Sequence, residues 1–486
     1  MNTYLSPRTQ DAWETVIGLE VHCRLATATK LFCACRNSFG EEPNTQVCPV
    51  CTGQPGALPV LNREALELAV RAALCIGAEV QTWSKFDRKN YFYCDLPRGY
   101  QISQFDRPYC TGGGIELASG KYCRLTRIHL EDDAGKAVHD RGAGTLVDLN
   151  RAGAPLIESV TEPDLASAAE AHEYLTALKE LFQFAGVSDC DMEKGSLRCD
   201  VNVSVRRAGE PLGTKVELKN LNSFSNVVAS IEHETARQVE VLETGGALVQ
   251  ETRQFDVAAG VTRTMRSKED AHDYRYFPDP DLPPITVTEA LLDRQRAMLP
   301  EAPAARRARY VDQLGLSAYD AGVLTGARDV SDFFEATTRL GGDPKTVANW
   351  LANDVLQLLA GDEVAAAAID ELPFKPLDLA ELVELVSEGR VTRASGRTLL
   401  RAMFDSPRAP KELMQALGLE RVDDTQALEA WCRAALAGRD DVIADVRAGK
   451  DKALGALMGP VMQASAGKAE PRAVREMLLR LIRGEG

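Results

Sequence analysis

Four cysteines near the start of the sequence have a spacing that suits a metal ion. Cys33 and Cys35 form one close pair, and Cys48 and Cys51 form a second pair twelve residues later. Two such pairs can supply four thiolates at about 2.3 Å to one tetrahedral Zn²⁺, which leaves no open coordination position. The pattern therefore predicts a structural zinc site. The alternative is four reduced cysteines packed as small hydrophobic side chains.

A second group of residues offers hard oxygen ligands and one imidazole. Its members lie in three separate segments, as Glu20 with His22, Glu131 with Asp132 and Asp133, and Glu158. Mg²⁺ or Mn²⁺ takes such ligands together with phosphate oxygens and water. The group therefore predicts a cation site that holds a nucleotide phosphate. Each member also has an ordinary alternative, because a histidine on a strand is often structural and an acidic triplet is often a solvated turn.

Cations and aromatic rings alternate between Lys85 and Tyr93, with Lys89 and Tyr91 at the centre of the segment. This composition suits phosphate neutralisation and base stacking, and the alternative is an ordinary aromatic core. The sequence has neither a G-x-x-x-x-G-K-[ST] loop nor a kinase glycine-rich loop followed by H-R-D. Any use of ATP therefore falls outside these two classes.

Alternation with period two decides which of these side chains share a face. Between Thr15 and Leu25, Glu20 and His22 alternate with apolar residues and are expected on one face of a strand. A second predicted strand and its return carry further polar rows, made of Arg198, Asp200, Asn202, Lys215, Glu217 and Lys219. Polar rows on several antiparallel strands predict a sheet with one working face, and a merely solvated face is the alternative.

Helical signals surround these strands and dominate the second half of the chain. Helices are predicted at Asn62 to Gly77, at Ser167 to Gly186 with a capping box from Ser167 to Glu170, and from about Asn226 to Gly245. The fold class is therefore α+β, with a mostly antiparallel sheet cradle and flanking helices, followed by all-α regions. A proline-rich segment from Tyr276 to Pro284 and a softer break near Ser406 predict three domains, at residues 1–290, 291–406 and 407–486.

Length and composition limit the class of protein. A chain of 486 residues is too long for one core, and its twelve cysteines are expected to stay reduced or bind metal in a cytoplasmic setting. No apolar run could cross a bilayer and no leader pattern follows Met1, so no membrane partner is expected. The net charge of −15 disfavours indiscriminate binding of polyanions, so an RNA partner would have to meet a local basic face.

Long strings in the sequence resemble the B subunit family of the bacterial tRNA-dependent amidotransferases. They are Val16 to His22, Lys85 to Tyr93, Tyr100 to Gln104, Glu131 to Lys136, Val147 to Arg151, Gly195 to Asn202, Glu217 to Phe224, Asp273 to Pro278 and a tail from Gly449 to Met462. The resemblance covers nearly the whole chain, and its last part is similar to a small helical YqeY-type tail domain. It implies an ATP- and Mg²⁺-dependent step in which the side-chain carboxylate of Asp-tRNA(Asn) or Glu-tRNA(Gln) is phosphorylated and then attacked by ammonia.

The resemblance also implies roles for particular residues. Glu20, His22 and Glu158 match the family's metal-binding positions, together with either Glu131 or Asp132, of which Asp132 is preferred. Lys89 would neutralise the transferring phosphate and act in catalysis with Glu20 and His22. Candidates for contacts with substrate or for lining an ammonia channel are Tyr91, Arg151, Arg198, Asp200, Asn202 and Lys219.

Partners follow from the same resemblance. The chain shows no glutaminase signature, so ammonia would come from an A subunit, joined by a small C subunit in a heterotrimer. The helical regions would hold the misacylated tRNA, with Lys450, Lys452 and Lys468 as candidate contacts with its phosphates. Two other classes stay in play, a free-standing ligase for a small carboxylic acid and a non-catalytic, zinc-stapled RNA-binding scaffold. The helical C-terminal third disfavours the former, and the co-facial Glu20 and His22 disfavour the latter.

Overall fold

The computed structural model describes residues 13–138, 144–267, 273–361, 364, 368–421, 425–448 and 450–483. The chain divides into two compact units, with the division between Ala302 and Pro303. The first unit combines a large sheet with helices, and the second is helical. The predicted α+β fold class is thereby confirmed.

The first unit contains seventeen strands among its described residues. They are β1 (Trp13–Arg24), β2 (Glu79–Val80), β3 (Trp83–Ser84), β4 (Asp87–Asn90), β5 (Tyr100–Ser103), β6 (Cys110–Thr111), β7 (Gly114–Glu116), β8 (Tyr122–Asp132), β9 (Lys136–Val138), β10 (Leu146–Asp148), β11 (Pro155–Thr161), β12 (Leu197–Arg207), β13 (Val216–Leu221), β14 (Glu251–Asp256), β15 (Val261–Ser267), β16 (Phe277–Pro278) and β17 (Ile285–Thr286).

Ten of these strands form one mixed sheet with β1 at its centre. The order is β15-β14-β13-β12-β1-β11-β8-β6-β2, with β7 paired to β8. All pairs are antiparallel except β13 with β14. β1 pairs with β12 from Trp13 to Cys23 and with β11 from Glu20 to Arg24, so its register is fixed on both sides. A separate sheet joins β16, β4 and β5.

Four helices accompany the sheet, at α1 (Arg63–Cys75), α2 (Ala168–Phe184), α3 (Phe224–Glu243) and α4 (Glu289–Met298). Asn62 caps α1 by accepting from the Glu64 and Ala65 amides. Ser167 caps α2, but Glu170 accepts from the Ala166 amide, so the predicted capping box closes one residue earlier. α3 begins two residues before its predicted start because Ser223 is its cap.

The apolar face of the sheet and the helices enclose one hydrophobic core. Alternate residues of β1, such as Ile17, Leu19 and Val21, pack there with Tyr174 of α2 and Ile231 of α3. The opposite face of β1 carries the polar residues. α4 follows the proline-rich segment and still belongs to this unit, because Leu292 lies in the same core. The helices therefore cover one face and leave the polar face open.

The second unit has helices α5 (Pro303–Asp312), α6 (Ala318–Leu324), α7 (Arg328–Leu340), α8 (Pro344–Trp350), α9 (Leu356–Leu359), α10 (Pro376–Ser387), α11 (Arg393–Asp405), α12 (Pro410–Ala416), α13 (Thr425–Leu436), α14 (Asp440–Arg447), α15 (Gly455–Ala464) and α16 (Pro471–Arg483). A π-helical turn spans Leu351–Val355, and 3₁₀ turns span Ile369–Glu371 and Asp451–Leu454.

Two hydrophobic clusters stabilise these helices. One draws on residues from Tyr310 to Leu419, and the other draws on residues from Cys432 to Ile482. Leu413 and Met414 of α12 pack in the former cluster. A division of the second unit at residues 406 and 407 stays a prediction. In the described part of the chain, no helix combines the length and the apolar character needed to cross a membrane.

Candidate active site on the open face of the sheet

Strand register brings four side chains into one row on the open face. His22 on β1 lies opposite Glu158 on β11 and opposite Arg198 on β12. Glu158 in turn lies opposite His129 on β8. Residues paired across neighbouring strands point to the same side of a sheet, so distant segments converge here.

The centre of this row is a cluster of two imidazoles and two carboxylates. The His22 Nε2 atom lies 3.2 Å from Glu158 Oε2 and 3.7 Å from Glu131 Oε1. The His129 Nε2 atom lies 3.1 Å from Glu131 Oε2 and 3.2 Å from Glu158 Oε2. One ligand atom each from His22, Glu131 and Glu158 lies within 4.8 Å of the others. Neighbouring ligands of an octahedral Mg²⁺ are about 3 Å apart, so the three groups can converge on one cation.

Charges in the cluster shift the titration of its members. Burial lowers the pKa of His129, but Glu158 and Glu131 outweigh it and raise this pKa to about 9. Burial also lowers the pKa of His22, but Glu158 and Glu131 raise it above its usual value overall. Burial raises the pKa of Glu158, yet His129 and His22 hold it well below its usual range. Glu131 and Glu158 are therefore ionised at neutral pH, and His22 has to release its proton before its ring nitrogen can bind a cation.

Glu131, and not Asp132, reaches His22 and Glu158. Asp132 is fully buried and turns the other way, because successive side chains of β8 point to opposite faces. Its carboxylate accepts from the Ile102 amide at 2.9 Å and pairs with Arg98. Burial raises the pKa of Asp132. Asp132 thus links β5 to β8. The family resemblance had led us to expect Asp132, rather than Glu131, as the cation ligand.

Glu20 lies in a neighbouring cluster of three carboxylates with Asp200 and Glu217. The Lys219 Nζ atom lies 2.5 Å from Asp200 and 3.0 Å from Glu217, and Asn202 donates to Glu20 at 3.0 Å. Burial opposes the charged form of Lys219, but Asp200 and Glu217 raise its pKa overall. The structure therefore separates Glu20 from the His22 cluster, although both side chains are on one face.

One pocket of about 370 Å³ joins the two clusters. Its lining includes His22, Glu131, Lys89, Tyr91, Arg151, Arg198, Asp200 and Lys219. The Lys89 Nζ atom lies 5.1 Å from the centroid of the Tyr274 ring. Burial lowers the pKa of Lys89, but Glu131 and other neighbours raise it overall. Tyr91 donates to Gln101 at 3.0 Å, which fixes its ring at the pocket.

Two arginines form a basic side of this pocket around Asp133. Arg198 donates to Asp133 at 2.8 Å, and the Arg151 Nε atom lies 3.4 Å from the same oxygen. Arg151 also donates to the carbonyls of Ala134 and Gly135 at 3.0 and 2.6 Å. The buried Arg198 Nε atom has no hydrogen-bond partner among the described residues. The pocket therefore places cations beside the carboxylate cluster.

The four predicted zinc ligands come together at one point. The Sγ atoms of Cys33, Cys35, Cys48 and Cys51 lie within 4.8 Å of one another. The Cys48 and Cys51 sulfurs are 3.9 Å apart, and four sulfurs at about 2.3 Å from a tetrahedral ion would be about 3.8 Å apart. These four sulfurs could therefore hold one metal ion, and their arrangement is compatible with zinc.

Comparison with known proteins agrees with this arrangement. A family model described as the GatB/GatE catalytic domain matches residues 15–293, and one described as the GatB domain matches residues 332–482. The B subunit of the aspartyl/glutamyl-tRNA(Asn/Gln) amidotransferase of Carboxydothermus hydrogenoformans is 47% identical, over 96% of this chain and 98% of its own length. The chain belongs to this family of amidotransferase B subunits.

Two further relatives of the same name support the assignment. The B subunit of the Geotalea daltonii amidotransferase is 48% identical over 97% of this chain and 100% of its own length. That of Caldanaerobacter subterraneus subsp. tengcongensis is 48% identical over 96% of this chain and 98% of its own length. The predicted family and the predicted enzyme class, a subunit of an amidotransferase with a catalytic domain, are confirmed.

His129 is the main site residue of this amidotransferase subunit that sequence reasoning did not select. The signal was present, because His129 and Glu131 are two residues apart on one strand and must share a face. Asp133 was among the predicted oxygen ligands, but it pairs with Arg198 and Arg151. Lys30 carried no comparable signal, since its partners Gln46, Cys51 and Leu149 lie in distant segments. The tail lysines lie far from these residues in sequence: Lys450 and Lys452 are exposed, and Lys468 is half-buried.

Proposed function

We propose that this subunit phosphorylates the side-chain carboxylate of Asp-tRNA(Asn), Glu-tRNA(Gln) or both, with ATP, and then forms the amide from ammonia. The observation that carries the proposal is one pocket lined by His22 and Glu131 of the cation cluster together with Lys89 and two arginines. Phosphoryl transfer depends chiefly on positioning and on neutralising charge, which such a pocket provides.

The reaction balances as two displacements. A carboxylate oxygen attacks the γ-phosphorus of ATP, forming an O–P bond while the bond to ADP breaks. The nitrogen of ammonia then attacks the activated carbonyl carbon and forms a C–N bond. The C–O bond to the phosphoryl group breaks, inorganic phosphate leaves, and the nitrogen gives up a proton. Phosphate is a far better leaving group than the oxygen of a carboxylate, so the first step makes the second possible.

The residues present fit the expected metals. His22, Glu131 and Glu158 would hold Mg²⁺ or Mn²⁺, which supplies positive charge for nucleotide phosphates when bound. Lys89, Arg151 and Arg198 add positive charge around the transferring phosphate, and Tyr91 borders the same space. Cys33, Cys35, Cys48 and Cys51 would hold a structural Zn²⁺, with their thiols kept reduced in a cytoplasmic setting.

Ammonia and tRNA would reach the pocket with the help of partners. A glutaminase A subunit would release ammonia, and a small C subunit would join the two in a heterotrimer. The polar cluster of Glu20, Asp200, Asn202, Glu217 and Lys219 borders the pocket and would line the end of the ammonia route. Lys450, Lys452 and Lys468 would contact tRNA phosphates.

The decisive experiment measures ATP cleavage and amide formation by the assembled three-subunit enzyme, with each misacylated tRNA in turn. Replacement His22→Ala should abolish both while tRNA binding is retained, because the cation cluster loses a ligand. The matched control is His172→Ala, since His172 lies on α2 and contacts only Phe224 among the rings described around it. Amide made without consumption of ATP, or full activity of His22→Ala, would refute the proposal.

The ammonia route has its own test. Replacement Asp200→Asn should leave ATP cleavage close to normal and reduce amide formed from glutamine, because Asp200 lies beside Lys219 at the edge of the pocket. Free ammonia added to the assay should restore part of the amide. Equal loss of ATP cleavage and amide would argue against this assignment.

A further inference from the structure

Lys30 is a buried cation between Cys51 of the four-cysteine site and Leu149, which lies two residues before Arg151 of the pocket. The residue has no exposed surface. Its Nζ atom lies 2.7 Å from the Gln46 carbonyl, 3.6 Å from Cys51 Sγ and 3.4 Å from the Leu149 carbonyl. An ammonium group has three donors, and all three have a partner here. Burial of a charge is costly unless it is paired, so this position depends on its neighbours.

Residues 149–154, the segment that Lys30 holds through Leu149, carry Arg151 of the pocket. Gly153 is packed tightly against the metal site, since a Cβ atom there would lie 3.3 Å from the Cys51 Cβ and 3.6 Å from the Lys30 Cδ. The Leu31 amide donates to the Gly153 carbonyl at 2.9 Å, and the Gly153 amide donates to the Asp133 carbonyl at 2.8 Å. Lys30 and Gly153 therefore both connect residues 149–154 to the segment that carries the four cysteines, residues 33–51.

A second link at the rim connects the same two segments. The Gln46 amide donates to Asn150 Oδ1 at 2.8 Å, and Asn150 donates to the Glu42 carbonyl at 2.7 Å. These two hydrogen bonds hold the loops side by side. Asn150 is half-exposed, however, and none of the bonded groups is charged. Lys30 is the buried, charged connection that touches a metal ligand.

We propose that Lys30 is a positioning residue that couples occupancy of the four-cysteine metal site to the placement of Arg151. Four thiolates around Zn²⁺ carry a net charge of −2, which the Lys30 ammonium offsets from within hydrogen-bonding range of Cys51. The same ammonium donates to the Leu149 carbonyl, two residues before Arg151 in the segment 149–154. Metal loss therefore loosens the basic side of the pocket. The link to activity rests on the proposed function, whereas the structural coupling does not.

The test uses the full, zinc-loaded chain and the variant Lys30→Met, which keeps most of the length of the side chain and removes the ammonium. We expect zinc to pass to a chelator at least tenfold faster, and the backbone amides of residues 149–154 to exchange hydrogen at least tenfold faster. Lys179→Met is the matched control, because Lys179 lies on α2 on the opposite side of the sheet and should change neither rate. Unchanged rates in Lys30→Met would overturn the inference.

Removal of zinc tests the coupling in the unmodified chain and answers the question even if Lys30→Met fails to fold. Chelation should speed exchange in residues 149–154 of the wild-type chain, and it should add little in Lys30→Met. Chelation that leaves this segment unchanged in the wild-type chain would overturn the inference. These readouts need no substrate, so failure of the proposed function would leave them intact.

The assembled enzyme provides the test that runs through Arg151. Lys30→Met should raise the KM for ATP at least fivefold, because Arg151 no longer keeps its place among the cations around the phosphates. In an Arg151→Met background the same replacement should add little to KM, because residues that act as one unit are not additive. Full additivity of the two KM effects would overturn the route through Arg151.

Discussion

Adjacent carboxylates on one strand have opposite surroundings in this protein. Glu131 accepts from Ser103 at 3.0 Å and faces the two imidazoles. Asp132 has no exposed surface and accepts from a backbone amide of β5. A strand turns each successive side chain to the other face, so only one of the two can belong to the cation cluster. Two neighbouring residues thus have different roles: Glu131 is a proposed cation ligand, and Asp132 supports the structure.

The pair Glu131→Gln and Asp132→Asn should separate these roles. Glu131→Gln removes a proposed ligand, so the Mg²⁺ concentration needed for half-maximal ATP cleavage should rise by at least ~10-fold. Asp132→Asn keeps the acceptor for the Ile102 amide but leaves Arg98 without its carboxylate, so it should lower stability by about 3 kcal/mol. Titration of activity with Mg²⁺ and urea unfolding measure the two effects. A Mg²⁺ requirement shifted by Asp132→Asn and not by Glu131→Gln would contradict this assignment.

The sequence was enough to predict which side chains share a face of a strand, but not which side chains from other strands they contact. Period two correctly put Glu20 and His22 on one face of β1. It could not show that Glu20 joins Asp200 and Glu217, because that depends on the register with β12 and on a bulge between Cys199 and Val201 where β12 meets β13. Choice between Glu131 and Asp132 likewise required the contacts of β5. Long-range register is set by tertiary packing and is invisible in a single strand.

At the scale of elements, α3 is fastened to the edge of the sheet by one buried carboxylate. Glu234 has no exposed surface. It accepts from Arg237 at 2.6 Å and 3.0 Å, and from Gln238 and Thr262 at 2.9 Å each. Thr262 belongs to β15, the last strand of the sheet. This network therefore links a covering helix to an edge strand that has a neighbour on one side only.

Replacement Glu234→Leu should destabilise the first unit strongly. Its loss leaves Arg237 and Thr262 without their buried partner, and breaking such a network typically costs about 3–5 kcal/mol. Glu232→Gln is the matched control, because Glu232 is exposed on the same helix and should change stability by less than about 0.5 kcal/mol. Urea unfolding followed by circular dichroism compares the two. Equal midpoints for both variants would show that the network adds nothing to stability.

The termini of elements were predictable where a side chain caps a helix, and less so elsewhere. Asn62 and Ser167 act as the caps that the sequence indicates. The boundary after the proline-rich segment was harder to place, because Leu292 packs back into the first core and Arg71 donates to Gln295 at 3.0 Å. Prolines end a strand or helix locally, but they do not decide on which core the next helix packs.

At the scale of the whole molecule, a net charge of −15 must coexist with a proposed polyanionic partner. Charge repulsion over the whole surface would oppose RNA binding, so local lysines and arginines must outweigh it where the RNA touches. The last four helices have their own hydrophobic cluster from Cys432 to Ile482. They can therefore be removed without taking apolar residues from the cluster between Tyr310 and Leu419.

Truncation after Arg421 should test the contribution of these helices to RNA binding. It removes Lys450, Lys452 and Lys468 but keeps Leu413, Met414 and Leu419 in their cluster. The KM for misacylated tRNA should rise at least ~10-fold, since several phosphate contacts are lost, and cleavage of ATP at saturating tRNA should change little. Filter binding and steady-state kinetics of the assembled enzyme measure both. Undiminished tRNA affinity would exclude these lysines as contacts.

The central position of β1 has a consequence for how the enzyme loses activity on heating. Four strands lie on each side of β1 in the path through the large sheet, so fraying at either edge must cross several paired strands before it reaches His22. Thermal inactivation should therefore coincide with cooperative melting of the first unit rather than precede it. The activity that remains after a heat treatment would then be proportional to the fraction of molecules whose first unit is still folded.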